Sequence, residues 1–207
     1  MRHYIKNKIL RGYDLNLIAV VSISTLVLVL KYYYPLDISF PRATELIYWL
    51  LVPLAAGWLL FRDKPWDYGI RIGRWKSSLV ITLVCLAAMA LILYGVSKMP
   101  EFRSYYHKSA IDWPELLLDR ALRYFAWEFL CRGYMLFGLE KSIGKNAIFV
   151  QAIPFVLLHL GKPSLETLFC IPGGFVFGYV AYRTRSFLPC FIIHFGIYVM
   201  MILFANS

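Results

Sequence analysis

The chain has 207 residues, 60% of them hydrophobic and only 16% charged, and its mean hydropathy is +0.61. That composition excludes an ordinary soluble domain and places the chain among integral membrane proteins. The formal net charge of +10 does not point to nucleic acid, because the basic residues cluster in short segments between apolar runs, where membrane topology accounts for them. A chain of this length has room for one bundle, predicted to be all-α, and for no separate soluble domain.

Seven apolar segments follow in order: 15–33, 45–61, 78–97, 116–139, 147–161, 165–181 and 187–205. They predict a polytopic transmembrane helical bundle of about seven spans. The fifth and sixth are short for a span of roughly 20 residues, so tilt or cover by neighbours is expected there. The first run follows a basic segment that resembles a signal-peptide n-region. It has no small-residue cleavage site and is read as a retained span. Residues 1–97 carry spans without motifs. Residues 98–114 are aromatic and mixed in charge, and predict an interfacial loop or helix. Residues 115–207 hold the unusual polar groups.

Lysine and arginine set the expected orientation. Thirteen lie in the N-terminal segment, in 62–77, in 140–146 and in 182–186, against six on the opposite side. The N-terminus is therefore predicted to be cytoplasmic and the C-terminus on the far side. The four cysteines, Cys85, Cys131, Cys170 and Cys190, form no CxxC pair and read as small core residues.

In the fourth segment Arg120, Tyr124, Glu128 and Arg132 recur every four residues and form one helical stripe. Glu128 comes about 12 residues into the segment, roughly 18 Å along a helix. A charge at that depth costs about 2.5–3.5 kcal/mol, so it should face the bundle interior with a partner. Arg132 is the natural partner, and Asp119 with Arg123 makes a second pair of the same spacing. In the fifth segment His159 stands four residues after Phe155, and Pro154 should kink the helix. Gly173 and Gly174 in the sixth permit close helix packing. In the seventh, His194 lies at depth with Tyr198 one turn on.

Singly, each of these groups fits a buried ion pair or a histidine satisfied by a backbone carbonyl. Together, one carboxylate and two imidazoles on three helices are the minimum set for hydrolysis. Glu128, His159 and His194 are also a two-His, one-carboxylate set for Zn²⁺, and spacing alone does not separate the two readings. HExxH is absent. A transporter or lipid-handling protein is a third class, disfavoured by the lack of an inverted repeat.

The motifs Glu128 to Gly133 (EFLCRG), Phe155 to His159 (FVLLH) and His194 to Tyr198 (HFGIY), in that order and each in its own apolar segment, resemble the CPBP (Abi, CAAX protease-like) family of intramembrane proteases. The stretch 178–194 is similar to the family too, and the resemblance covers about residues 115–204. It implies an endopeptidase without a cofactor, acting on a membrane-associated protein or peptide. A glutamate and the first histidine, here Glu128 and His159, would activate water. The second histidine, His194, would stabilise the oxyanion. It also implies a multi-pass protein of a bacterial inner (plasma) membrane, with the lipid bilayer and the substrate as partners and no nucleic acid. Two positions depart from the family pattern. Trp127 stands where the family usually has the first of two adjacent glutamates, and Tyr198 where it has asparagine. Three expectations follow. Glu128 is itself the base, with Trp127 shaping the pocket; or Glu166 supplies a second carboxylate; or the chain is a catalytically inactive family member acting as a binding or regulatory partner.

Overall fold

The computed structural model describes residues 12–40 and 42–207, and no strand occurs among them. Helix α1, Leu15–Tyr33, begins where the Asp14 carboxylate accepts a hydrogen bond from the Leu17 amide at 2.9 Å. Helix α2, Ala43–Phe61, contains a π-helical turn at Ile47–Leu51. Helix α3 is Trp75–Val96, and α4, Pro100–Tyr106, is a short helix within the segment expected to be interfacial. Helix α5 is α-helical over Trp113–Glu128, π-helical over Phe129–Met135 and α-helical again over Leu136–Ile143. Two short helices follow, α6 (Ala147–Val150) and α7 (Ala152–Leu157). Helices α8, Ser164–Thr184, and α9, Leu188–Ala205, complete the bundle.

All seven expected segments are helical, and the protein is an all-α bundle. Among the described residues five helices, α1, α2, α3, α8 and α9, are long and apolar enough to cross a membrane. The fourth segment is a long helix interrupted by charge, and the fifth is in pieces. Its break falls at Gln151, three residues before Pro154, whose nitrogen cannot donate to the Val150 carbonyl. The Gln151 side-chain amide holds the break closed. It donates to Ile148 O at 2.8 Å and across to Gly174 O on α8 at 2.9 Å. Gly174 is needed for that approach, since a Cβ there would sit 2.9 Å from the Ala152 methyl. Gly173 faces open space, so only one of the two glycines works as expected.

The bundle has two polar ends. At one, the Asn16 amide donates to Gly138 O and Ser142 Oγ, both at 2.8 Å, and Lys141 pairs with Asp63. Arg71 donates to Arg185 O at 2.8 Å. These contacts gather the basic segments 62–77, 140–146 and 182–186 at one end, as their charge predicts. The fourth basic segment, through Arg11, lies outside the described residues. At the other end Ser164 N donates to Glu101 at 2.6 Å, and Lys108 N to Asn206 at 2.8 Å. The expected Asp119–Arg123 pair does not form. Asp119 accepts from Arg42 at 2.5 and 2.8 Å, because the start of α2 packs against α5 and brings that guanidinium within reach. Arg123 lies instead over the ring of Trp127, at 5.6 Å.

Every residue of the π-helical stretch Phe129–Met135 is buried, and it packs against α1, α2 and α8. Gly133 lets the Tyr68 backbone come close: a Cβ there would lie 2.8 Å from Tyr68 O and 2.8 Å from the Phe129 ring. A carbonyl oxygen in a fixed turn cannot give way cheaply. Gly133→Ala is expected to lose about 1–3 kcal/mol, read as a lower midpoint of thermal unfolding in detergent. Cys131 and Cys190 are buried, and all four cysteines are free.

Candidate active site

Glu128 is the last residue before the π-helical stretch, so its side chain points from the centre of α5 into the bundle. It is 0% exposed, as is Arg132. Arg132 Nη1 lies 3.2 Å from Glu128, the pair expected from their spacing. The guanidinium sits 3.8 Å over the Phe155 ring and 5.1 Å from that of Phe177. Two aromatic faces thus take up a cation whose side chain is wholly buried.

The second oxygen contact of Glu128 crosses to α9. Its Oε1 is 2.7 Å from His194 Nδ1, both groups being buried. A carboxylate there accepts the Nδ1–H, which fixes the tautomer and leaves Nε2 with its lone pair. His159, in the turn after α7, has its own orienting bond, from Nδ1 to Phe155 O at 2.7 Å. The Thr167 hydroxyl donates to the His159 carbonyl at 2.9 Å and ties that turn to α8. The two imidazoles stand with ring centres 5.8 Å apart and planes at 22°. Neither Nε2 has a hydrogen-bond partner among the described residues. Glu128, Arg132, His159 and His194 therefore come together from three segments.

Trp127 is 1% exposed, 5.0 Å from the His159 ring and 5.6 Å from that of His194. It forms a wall shared by both imidazoles, backed by Trp49 at 5.8 Å. Phe155 closes another side, 4.6 Å from His159 and 5.7 Å from His194. Tyr124 was visible only as one member of the polar stripe. It stacks on His194 at 4.2 Å and adjoins Tyr198 at 5.7 Å. Its four-residue spacing from Glu128 carried the signal, since both must then face the same helix.

Tyr198 lies one turn beyond His194, with the Arg120 guanidinium 5.1 Å from its ring. Glu166 takes no part in the contacts of either imidazole. It sits at the start of α8 with one oxygen 2.7 Å from Lys162 and the other 2.6 Å from the Tyr106 hydroxyl. Burial, and then the Glu166 carboxylate, push the Tyr106 phenol well above its ordinary pKa, so it remains a donor. Helix α4 is thereby strapped over the end of the bundle from which Tyr198 leads down to His194. Among the described residues no three His, Cys, Asp or Glu side chains are grouped to hold a metal ion.

An all-helical bundle with membrane-length helices that buries a carboxylate–imidazole pair beside a second imidazole defines a class: helical membrane proteins with ionisable side chains gathered in the core. Residues 111–200 match the family model described as Type II CAAX prenyl endopeptidase Rce1-like. That segment is thereby similar to the CAAX-protease type of membrane endopeptidase in the CPBP family. The match holds α5, α6, α7, α8 and most of α9, and so every residue of the site. A comparison with curated proteins found no match, and neither did one with solved structures.

Proposed function

We propose that the chain is an intramembrane endopeptidase in which His159 and His194 carry the proton transfers and Glu128 acts through His194. The observation that supports this most is the 2.7 Å contact between Glu128 Oε1 and His194 Nδ1, with the His159 ring stacked 5.8 Å away. Glu128 has one oxygen on an imidazole and lies against a guanidinium. It is poorly placed to reach a water itself and well placed to stabilise an imidazolium. His159 keeps its Nε2 lone pair because Nδ1–H is committed to Phe155 O.

In the reading this supports, His159 Nε2 takes a proton from water as the water oxygen attacks the scissile carbonyl. Protonated His194 donates Nε2–H to the oxyanion that forms, and the Tyr198 hydroxyl is one turn away as a further donor. On collapse, the C–N bond breaks and the proton held by His159 passes to the leaving amine. Trp127, Tyr124 and Phe155 keep bulk water from the imidazoles. The substrate class is a membrane-associated protein or peptide, which the family match supports.

A specific observation favours a second reading. The indole of Trp127 fills the side of the site next to both imidazoles, where the family's usual first glutamate would stand. A catalytically inactive member that binds a membrane partner has the same walls. The two readings separate when the purified protein is reconstituted in liposomes with a library of membrane-anchored peptides and new termini are mapped by mass spectrometry. The protease reading expects new termini with the wild type and none with His194→Ala. Identical termini with both proteins, or none with the wild type while a peptide co-purifies, would overturn it.

A further inference from the structure

At the end of the bundle opposite α4 lies a cavity of about 650 Å³ lined by Arg74, Glu140, Lys145, Ile148, Tyr179, Tyr182, Arg183 and Arg185. None of these residues has a hydrogen bond or ring contact with either imidazole, and none takes part in the chemistry proposed above. Its charge is one-sided. The one carboxylate, Glu140, is held bidentately by Arg185 at 2.8 and 2.9 Å. Arg74, Lys145 and Arg183 are exposed and have no carboxylate partner among the described residues. The fold brings them together: Arg74 N donates to Thr184 O at 2.9 Å, so α3 begins beside the end of α8. Three unpaired cations around one concave site, with two tyrosine hydroxyls, match the chemistry of a phosphate group.

Position and lining decide the source of that phosphate. The cavity lies where two membrane-length helices meet the interface, next to the exposed indole of Trp75. Below it an apolar strip runs toward the bilayer centre. Tyr179 stands on α8 one turn after Phe175, whose ring packs at a tilt of 59° against Phe149 of α6, 5.1 Å away. Phe149, Ile153 and Val176 are all exposed. A soluble phosphate would use the cations alone, whereas an acyl chain would also cover the strip. We infer that the cavity binds the headgroup of an anionic phospholipid, with an acyl chain along Phe149 and Phe175.

The test is native mass spectrometry of the detergent-purified full chain, titrated with phosphatidylglycerol or phosphatidylcholine. Phosphatidylglycerol is expected to bind the more tightly. The double variant Arg74→Ala/Arg183→Ala should weaken it by about 25-fold, at roughly fivefold per charge removed, and leave phosphatidylcholine unchanged. Arg74→Lys/Arg183→Lys keeps the charges and should keep most of the binding, which separates charge loss from misfolding. Arg103→Ala/Lys108→Ala, at the other end, should have no effect. Equal phosphatidylglycerol affinity in wild type and the alanine double variant would overturn the proposal. So would displacement of the lipid by soluble glycerol 3-phosphate at comparable concentration, which would mark a site for free phosphate.

Discussion

His194→Ala is expected to lower peptide hydrolysis by about 10²–10⁴-fold, the usual contribution of a positioned acid–base group. The loss should appear in kcat with KM little changed, because the imidazole acts on charge that develops only in the transition state. Glu128→Gln should reproduce much of that loss by a different route. The amide oxygen still accepts the Nδ1–H, so the 2.7 Å contact and the ring orientation survive. What disappears is the negative charge that stabilises the imidazolium, so the pH–rate profile should change even though the fold does not. Steady-state kinetics across pH for the two variants checks both statements. Unchanged turnover in Glu128→Gln would show that the carboxylate is structural and that His194 works without it.

Arg132→Met is expected to destabilise the bundle by about 3–5 kcal/mol, the cost of stranding one charge of a buried pair. Glu128 and Arg132 are both 0% exposed, so no water can replace the lost guanidinium. Lysine should not rescue the position. Its ammonium is compact and strongly hydrated, while the site holds a planar cation 3.8 Å over Phe155 and beside Phe177. Arg132 Nε and Nη2 already lack partners, and a lysine there would leave a less tolerant charge buried. The double variant Glu128→Gln/Arg132→Met removes both charges and should recover part of the loss. Unfolding midpoints in detergent for the two singles and the double measure this directly. Equal stability of Arg132→Met and wild type would mean that the pair contributes nothing to the fold.

What was legible in the residues followed from periodicity and cost. Seven apolar runs, the grouping of basic segments at one end, and the Glu128–Arg132 pair all rest on spacings that survive into the structure. The convergence of Glu128 with His159 and His194 followed from the expense of leaving such groups in hydrocarbon. Three features were not legible. The π-helical stretch after Glu128 depends on the bundle around Gly133, not on local propensity. The partner of Asp119 is Arg42, 77 positions away, because helix packing brings the start of α2 to α5. Glu166, considered as a second carboxylate, is instead an anchor for Tyr106 and Lys162, and no local pattern marks a residue that holds a strap. Tyr124 lay between these cases. Its phase on the helix pointed at the site, but its stacking on His194 needed the position of α9.

The central claim is that water is activated inside the bundle by His159 with His194 as its partner. Hydrolysis of a cleaved membrane peptide in H₂¹⁸O tests it most directly. The wild type should place one ¹⁸O in each newly formed carboxylate, and His159→Ala should release no labelled product above the uncatalysed background. Labelled product formed at the same rate by His159→Ala, or none formed by the wild type, would contradict the account.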